Sequence, residues 1–272
     1  MFLPFFCARL ARPMIPRALI AAAALSAIAA TTPTWAADAL VAVSSGGFAE
    51  AFKTLAHDYA ARPSALPVAT QFGPSMGNTS QAIPARLARG ESIDVVIMVG
   101  SALDQLIADG VVDSSTKVVL ADSYIACAVP AGDPQPDLST PEAVRTAFLN
   151  APSVAWSDSA SGEYIQHELL ARLGIEAQVK AKGRQIPATP VGEIVAQRQA
   201  AFGCQQRSEL QPVKGIDIAG ELPEALQKIT PYAAAVVKGS AHPEQARAFI
   251  QFLASRDSAK AVARSGLHPH QP

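Results

Sequence analysis

Charge, cysteine and long apolar runs are all scarce in this chain of 272 residues, and each scarcity excludes something. Only 17% of the residues are charged, 22 basic against 23 acidic, so no basic field exists to hold nucleic acid. Three cysteines, with no histidines at ligand spacing, argue against a metal site. Beyond residue 36 no stretch is apolar for the roughly 20 residues that a membrane span requires. Neither a Gly-x-x-x-x-Gly-Lys-Ser/Thr loop nor a Gly-x-Gly-x-x-Gly fingerprint occurs, which removes the common nucleotide-binding readings. A Gly-x-Ser-x-Gly elbow is missing too, so Ser-His-Asp hydrolysis has little support. No cofactor is implied. What the chain does have is apolar substance: 49% of it is hydrophobic, enough for a real core and too much for disorder.

The first segment reads as an address. Arg9, Arg12 and Arg17, with no acid among them, precede the apolar run Ala18–Ala30 and then Thr34-Trp35-Ala36. That order of charged, apolar and small residues is a secretory signal, and it predicts cleavage after Ala36 and delivery to the periplasm. Without residues 1–36 the chain keeps 19 basic and 23 acidic residues, a net of −4. A small anionic ligand would therefore need a local site. Export would permit a disulfide between Cys127 and Cys204, but two buried thiols fit the sequence as well.

Past the signal, short apolar strands alternate with amphipathic helices. Strands are expected at Leu40–Val43, Val68–Phe72, Asp94–Val99 and Tyr124–Val129, with helices at Phe48–Tyr59, about Gln81–Arg89 and Ala102–Ala108. A second cycle places strands at Ser153–Ser157, Gln178–Ala181, Ala201–Gln205 and Tyr232–Val237, and helices at Glu163–Leu173, Val191–Gln199 and Pro243–Ser255. Alternating βα units predict an α/β fold with parallel sheets covered by helices. Two cycles predict two Rossmann-like lobes, one from 38–122 plus 244–272 and the other from 123–243.

Three strand-to-helix joints share a small, hydroxyl-rich composition: Ser44-Ser45-Gly46-Gly47, then Gly73–Ser80 (with Ser75, Met76, Gly77, Asn78, Thr79 and Ser80), then Asp158–Gly162 (with Ser159 and Ser161). Each opens a helix at the carboxyl end of a strand, where unpaired N–H groups and the helix dipole hold anions without Lys or Arg. Ordinary N-capping explains any one such loop; three of them, drawn from both cycles, point to a ligand cleft between the lobes. A fourth stretch, Gly203–Leu210, sets Gln205, Gln206, Ser208 and Glu209 at a strand end. Two amides and a hydroxyl can read a polar ligand there, and Glu209 can take a proton from carbon if its pKa is tuned.

These residues resemble a known family. Val-x-Val-Ser-Ser-Gly-Gly-Phe-Ala-Glu-Ala-Phe from Val41, Gln-Phe-Gly-Pro-Ser-Met-Gly from Gln71 and the run from Ile83 to Val99 are similar to periplasmic solute-binding proteins of the molybdate-binding type. The likeness covers essentially the whole chain beyond the signal. It implies a type II periplasmic-binding fold, two α/β lobes with a ligand cleft between them. Two departures stand out: the second loop is longer, and the family's Tyr-x-Thr-Asp segment gives way to Cys204–Leu210. With these features the chain is similar to the aconitate isomerase branch, which implies cofactor-free interconversion of trans- and cis-aconitate. That chemistry moves an allylic proton. On this reading Glu209 is the first candidate for the base and His167 the second, with Arg184 a candidate cation for the trianion. The alternative is a binding protein that delivers molybdate-like oxyanions or an organic acid to an ABC permease.

Overall fold

The computed structural model describes residues 39–77, 79–187 and 189–270. The expected signal segment and Asn78 lie outside them.

The first lobe is built on a six-stranded sheet of order β11-β4-β10-β3-β1-β2. Its early elements are β1 (Leu40–Ser44), α1 (Ala49–Ala60), β2 (Val68–Phe72), α2 (Ile83–Ala88), β3 (Val95–Val99), α3 (Gly100–Ala108) and β4 (Val118–Ser123). β1 lies parallel to β2 and β3, and the apolar run Val95–Val99 is buried throughout, as a strand covered on both faces must be. On one face Phe48, just before α1, and Phe52, Leu55 and Tyr59 of α1 share a core with Phe249 and Ile250 of a later helix. Removing each large apolar side chain from water contributes about 2 kcal/mol. The opposite face is filled by Ile83, Ile93, Met98, Leu103 and Leu106.

The second lobe has a five-stranded sheet of order β7-β6-β8-β5-β9. It comprises β5 (Ile125–Pro130), α4 (Pro141–Asn150), β6 (Val154–Ser157), α5 (Ala160–Tyr164), α6 (Leu170–Arg172), α7 (Glu176–Lys180), β7 (Gly183–Ile186), α8 (Val191–Ala196), β8 (Phe202–Gln206), α9 (Arg207–Leu210) and β9 (Ile216–Glu221). Between α5 and α6 the helix widens to a π turn over Ile165–Leu169. The chain then returns to the first sheet through β10 (Thr230–Val236), α10 (Pro243–Leu253), α11 (Arg256–Arg264) and the short β11 (His268–Pro269).

Three expectations are corrected here. The sheets are mixed: β10 runs antiparallel to β3 and β4, and β5 antiparallel to β8 and β9, because the chain crosses between sheets without a helical crossover. The return crossing lies between β9 and β10, so residues 230–243 belong with the first sheet and not the second. The strand expected at Gln178–Ala181 is helix α7. Its N-cap Ile175 and its Val179 are buried, four residues apart as on one helix face, and Lys180 donates to Glu176 at 2.8 Å on the outside.

Two glutamines pin the crossings. Gln206 accepts from the Ser123 hydroxyl at 2.7 Å and donates to Thr230 at 3.1 Å, all three residues being buried. Gln227 accepts from the Ile125 N–H at 2.8 Å and donates to the Leu222 carbonyl at 3.1 Å. Cys127 and Cys204 face each other across β5 and β8 with Cα atoms 4.0 Å apart and are joined as a disulfide. The choice that the sequence left open is thereby made.

Candidate functional site

β1 ends at Ser44 and the chain turns through Ser45, Gly46 and Gly47 into α1. The Ser45 N–H donates to the Ile97 carbonyl at 2.9 Å, and the Gly73 N–H donates to the Ser44 carbonyl at 3.1 Å. The first two hydroxyl-rich loops therefore lie side by side at the carboxyl ends of β1, β2 and β3. Ser75 is buried and its hydroxyl accepts from the Val99 N–H at 3.0 Å, which leaves its own proton free to donate. Further along the second loop Met76, Gly77, Thr79 and Ser80 are exposed.

In the other lobe, β6 ends at Ser157 and α5 begins three residues later, at Ala160. Ser157, Ser159 and Ser161 form a triangle of hydroxyls with edges of 2.8, 3.2 and 3.4 Å. Gly162 makes the tight joint possible, since a Cβ there would stand 1.6 Å from the Ser157 carbonyl oxygen. β8 ends beside this loop. Gln205 accepts from the Val191 N–H at 2.8 Å, which fixes which end of its amide points onward, and its NH2 donates to Glu209 Oε2 at 2.8 Å.

The two lobes meet at Glu209. A Cβ added to Gly46 would lie 3.0 Å from Glu209 Oε1, so the first lobe's glycine turn rests on the second lobe's carboxyl. The residue keeps a partly exposed edge, yet its carboxyl is packed among protein atoms. Burial pushes the Glu209 pKa up from 4.5 to about 7, the Asp158 carboxylate adds to the rise, and the Gln205 hydrogen bond opposes it. The neighbouring glycine touches something else: a Cβ on Gly47 would stand 1.9 Å from the Tyr232 hydroxyl. Burial, and secondarily the charge of Glu209, pushes that phenol up from its ordinary value. Among the described residues, the buried side-chain oxygens left without a hydrogen-bond partner are those of Ser45 and Ser208. One is next to Gly46 in sequence and the other next to Glu209. Orphaned buried hydroxyls are rare enough in native proteins to require an explanation, and a ligand at this seam would supply one.

The seam is made by Gly46 and Gly47 of the first lobe and Glu209 of the second, with Gln205 and Asp158 acting on the same carboxyl and Ser45 and Ser208 next to it in sequence; Ser44 and Ser75 lie on the adjoining loops of the first lobe, and Ser159 and Ser161 on the loop that carries Asp158. Three candidates stand elsewhere. His167 is exposed on the outer side of the π turn, 3.4 Å from Glu163. Arg184 is exposed on β7 and donates to the Gln199 carbonyl at 3.0 Å. Gln206 spends both ends of its amide on the crossings. Tyr232 is not among the residues that the sequence marks for the site; its position at the start of the last strand is the only hint, and only the antiparallel run of β10 carries that end to the seam.

Two α/β lobes joined by two chain crossings, with the glycine turn of one resting on Glu209 of the other, define a two-lobe periplasmic-binding fold. The Azotobacter vinelandii periplasmic molybdate-binding protein shares it with a TM-score of 0.68 at 17% identity, over 85% of this chain and 100% of that one. The sulfate-binding protein of Mycobacterium tuberculosis matches with a TM-score of 0.67 at 16% identity, over 86% and 88% of the two chains. The chain belongs to the bacterial extracellular solute-binding proteins, whose family pattern matches residues 40–268. It is also 48% identical, over 243 residues, to an aconitate isomerase from a Pseudomonas species, covering 88% of this chain and 92% of that protein. Among the described residues no helix is long and apolar enough to cross a membrane.

Proposed function

We propose that this protein is an exported, cofactor-free aconitate isomerase of the periplasm, with Glu209 as its base. The observation that carries the reading is the Glu209 carboxyl, packed between Gly46 of one lobe and Gln205 of the other with its pKa raised to about 7. A general base works best when its pKa lies near the working pH, because it must be free to accept the proton and still able to give it back. The 48% identity to an aconitate isomerase supplies the substrate, and the signal read at residues 1–36 supplies the compartment.

Aconitate is a propene tricarboxylate. Glu209 removes a proton from its methylene carbon; the C–H electron pair becomes the new double bond, and the old π pair moves toward the former vinyl carbon. Glu209 then returns the proton to that carbon, so the base is regenerated and no electron acceptor is involved. The substrate carboxylates meet the hydroxyls of Ser45, Ser75, Ser159, Ser161 and Ser208 and the backbone N–H groups at the starts of the two helical segments. Fixed donors of this kind stabilise charge without reorganising as it develops.

The test is direct. Purified protein without added metal or cofactor should interconvert trans- and cis-aconitate, followed by absorbance, and Glu209→Gln should lower kcat by about 10²–10⁴. Tight molybdate or tungstate binding with no change in aconitate over hours would refute the enzyme and support the delivery of oxyanions to a permease.

A further inference from the structure

We propose that the Tyr232 hydroxyl is the second working group of this site, the donor that holds the substrate carboxylate onto which charge flows when Glu209 takes the proton. The inference rests on the isomerase reading and deepens it.

Three observations place the phenol there. Tyr232 pairs with Val99 across β10 and β3, and the Val99 N–H is the one held by Ser75, so the residue stands at the same sheet edge as the hydroxyl-rich loops. Its ring is locked in the core, 4% exposed and 6.5 Å from the Phe48 ring, which leaves the hydroxyl little freedom of direction. That hydroxyl lies under Gly47, where any side chain would overlap it, while Glu209 lies against the adjacent Gly46. Two consecutive glycines thus admit two polar groups, one from each lobe, to the same turn.

The chemistry is complementary. When the methylene C–H bond breaks and its proton passes to Glu209, the electron pair spreads through the double bond onto the carboxylates of the reacting carbons. A neutral O–H aimed at one of those oxygens stabilises the dienolate more than the ground state, because its acceptor gains charge during the step. Burial keeps the phenol protonated across the working pH range. Tyr232 therefore donates a hydrogen bond without transferring its proton, and Glu209 alone carries the proton from one carbon to the other.

Tyr232→Phe removes the oxygen and keeps the packed ring, so the variant should melt close to the wild type. Its kcat for trans-aconitate is expected to fall about 10²–10³-fold, the usual loss for one preorganised donor. Affinity for tricarballylate, the saturated tricarboxylate that cannot isomerise, should fall less than about tenfold by calorimetry. Should the phenylalanine variant not fold, 4-fluorophenylalanine at position 232, which fills the place of the hydroxyl with a group that cannot donate, decides the matter with the same expected loss of kcat. Wild-type kcat in Tyr232→Phe alongside an inactive Glu209→Gln would overturn the tyrosine and leave the isomerase intact. A kcat loss matched by an equal loss of tricarballylate affinity would also overturn it, since a ground-state contact behaves that way. A wild-type protein inert toward aconitate would remove both readings together.

Discussion

Glu209→Gln should make the folded protein more resistant to unfolding at pH 8 than at pH 4.5, relative to the wild type. The magnitude follows from the carboxyl's surroundings. Its pKa is about 7 in the folded chain, against 4.5 for an ordinary glutamate. Below about pH 4.5 both folded and unfolded chains hold the proton, and Glu209 makes no difference to stability. Between 4.5 and 7 the unfolded chain ionises while the folded one keeps its proton, so stability drops as pH rises. Above 7 both are ionised and the folded state carries the whole penalty, about 3 kcal/mol. Glutamine has the shape of the protonated acid, can still accept the Gln205 N–H, and never ionises. Urea denaturation of both proteins at pH 4.5 and pH 8, with the disulfide kept oxidised, measures the difference. The gap between variant and wild type should shift by about 3 kcal/mol in favour of the variant at pH 8, or roughly 6–12 °C in melting temperature for a chain of this size. An identical gap at both pH values would show that Glu209 titrates as an ordinary surface carboxylate, and would remove the main argument for it as the base.

Gly46→Ala places a methyl group 3.0 Å from Glu209 Oε1; a base displaced by even a fraction of an ångström should lower kcat by about tenfold or more in the same absorbance assay. Gly162→Ala would set a Cβ 1.6 Å from the Ser157 carbonyl oxygen, so it should cost roughly 3 kcal/mol or more in urea, and a wild-type midpoint would contradict the packing described. Reducing the Cys127–Cys204 bridge, which closes a separation of 77 residues, should destabilise the chain by about 4.5 kcal/mol on the loop-entropy account; an unmoved denaturation midpoint under dithiothreitol would argue against that account here. His167→Ala and Arg184→Ala, both exposed and apart from the seam, should leave kcat within roughly twofold of wild type, and a large loss in either would return it to the site.

The early strands and helices are legible in the sequence because each carries one clear period. Val68–Phe72 is placed to the residue and Phe48–Tyr59 to within one, since apolar positions recur at the spacing the core demands. What escapes is set by tertiary pairing. β4, β9 and the return through β10 depend on which sheet the chain rejoins, and nothing local in Val118–Ser123 or Ile216–Glu221 records that choice. The site divides the same way. Hydroxyl-rich caps can be seen in the sequence because small residues mark the turns, and Glu209 because a carboxylate beside them is chemically conspicuous. Local pattern cannot sort Gln206 and Tyr232. Gln206 passes for a ligand-reading amide until Ser123 and Thr230, distant in sequence, are seen to occupy it. Tyr232 passes for one more apolar strand residue until Gly47 is found beneath its hydroxyl.

On the isomerase reading, a fold shared with molybdate- and sulfate-binding proteins needs little change to carry out proton transfer, and the proposed changes lie at one seam. A clamp for an inert oxyanion needs donors from both lobes and gains nothing from a buried carboxyl: ionised, it repels the ligand, and protonated, it is one donor among several. A catalyst uses both states, because the proton removed from one carbon has to be returned to another before the lobes part. Burial between Gly46 and the Gln205–Glu209 turn sets the carboxyl where either state is accessible near neutral pH. Gln205 holds it in one orientation through an amide that is itself fixed by the Val191 N–H. On the proposed reading the donors around it are hydroxyls and backbone amides, which can bind a polyanion without a cation beside the base that would hold it charged and lower its pKa; among the described residues no cation figures in the environment that sets its pKa. On that reading, the uncharged donors and the raised pKa of the seam glutamate are parts of the same solution.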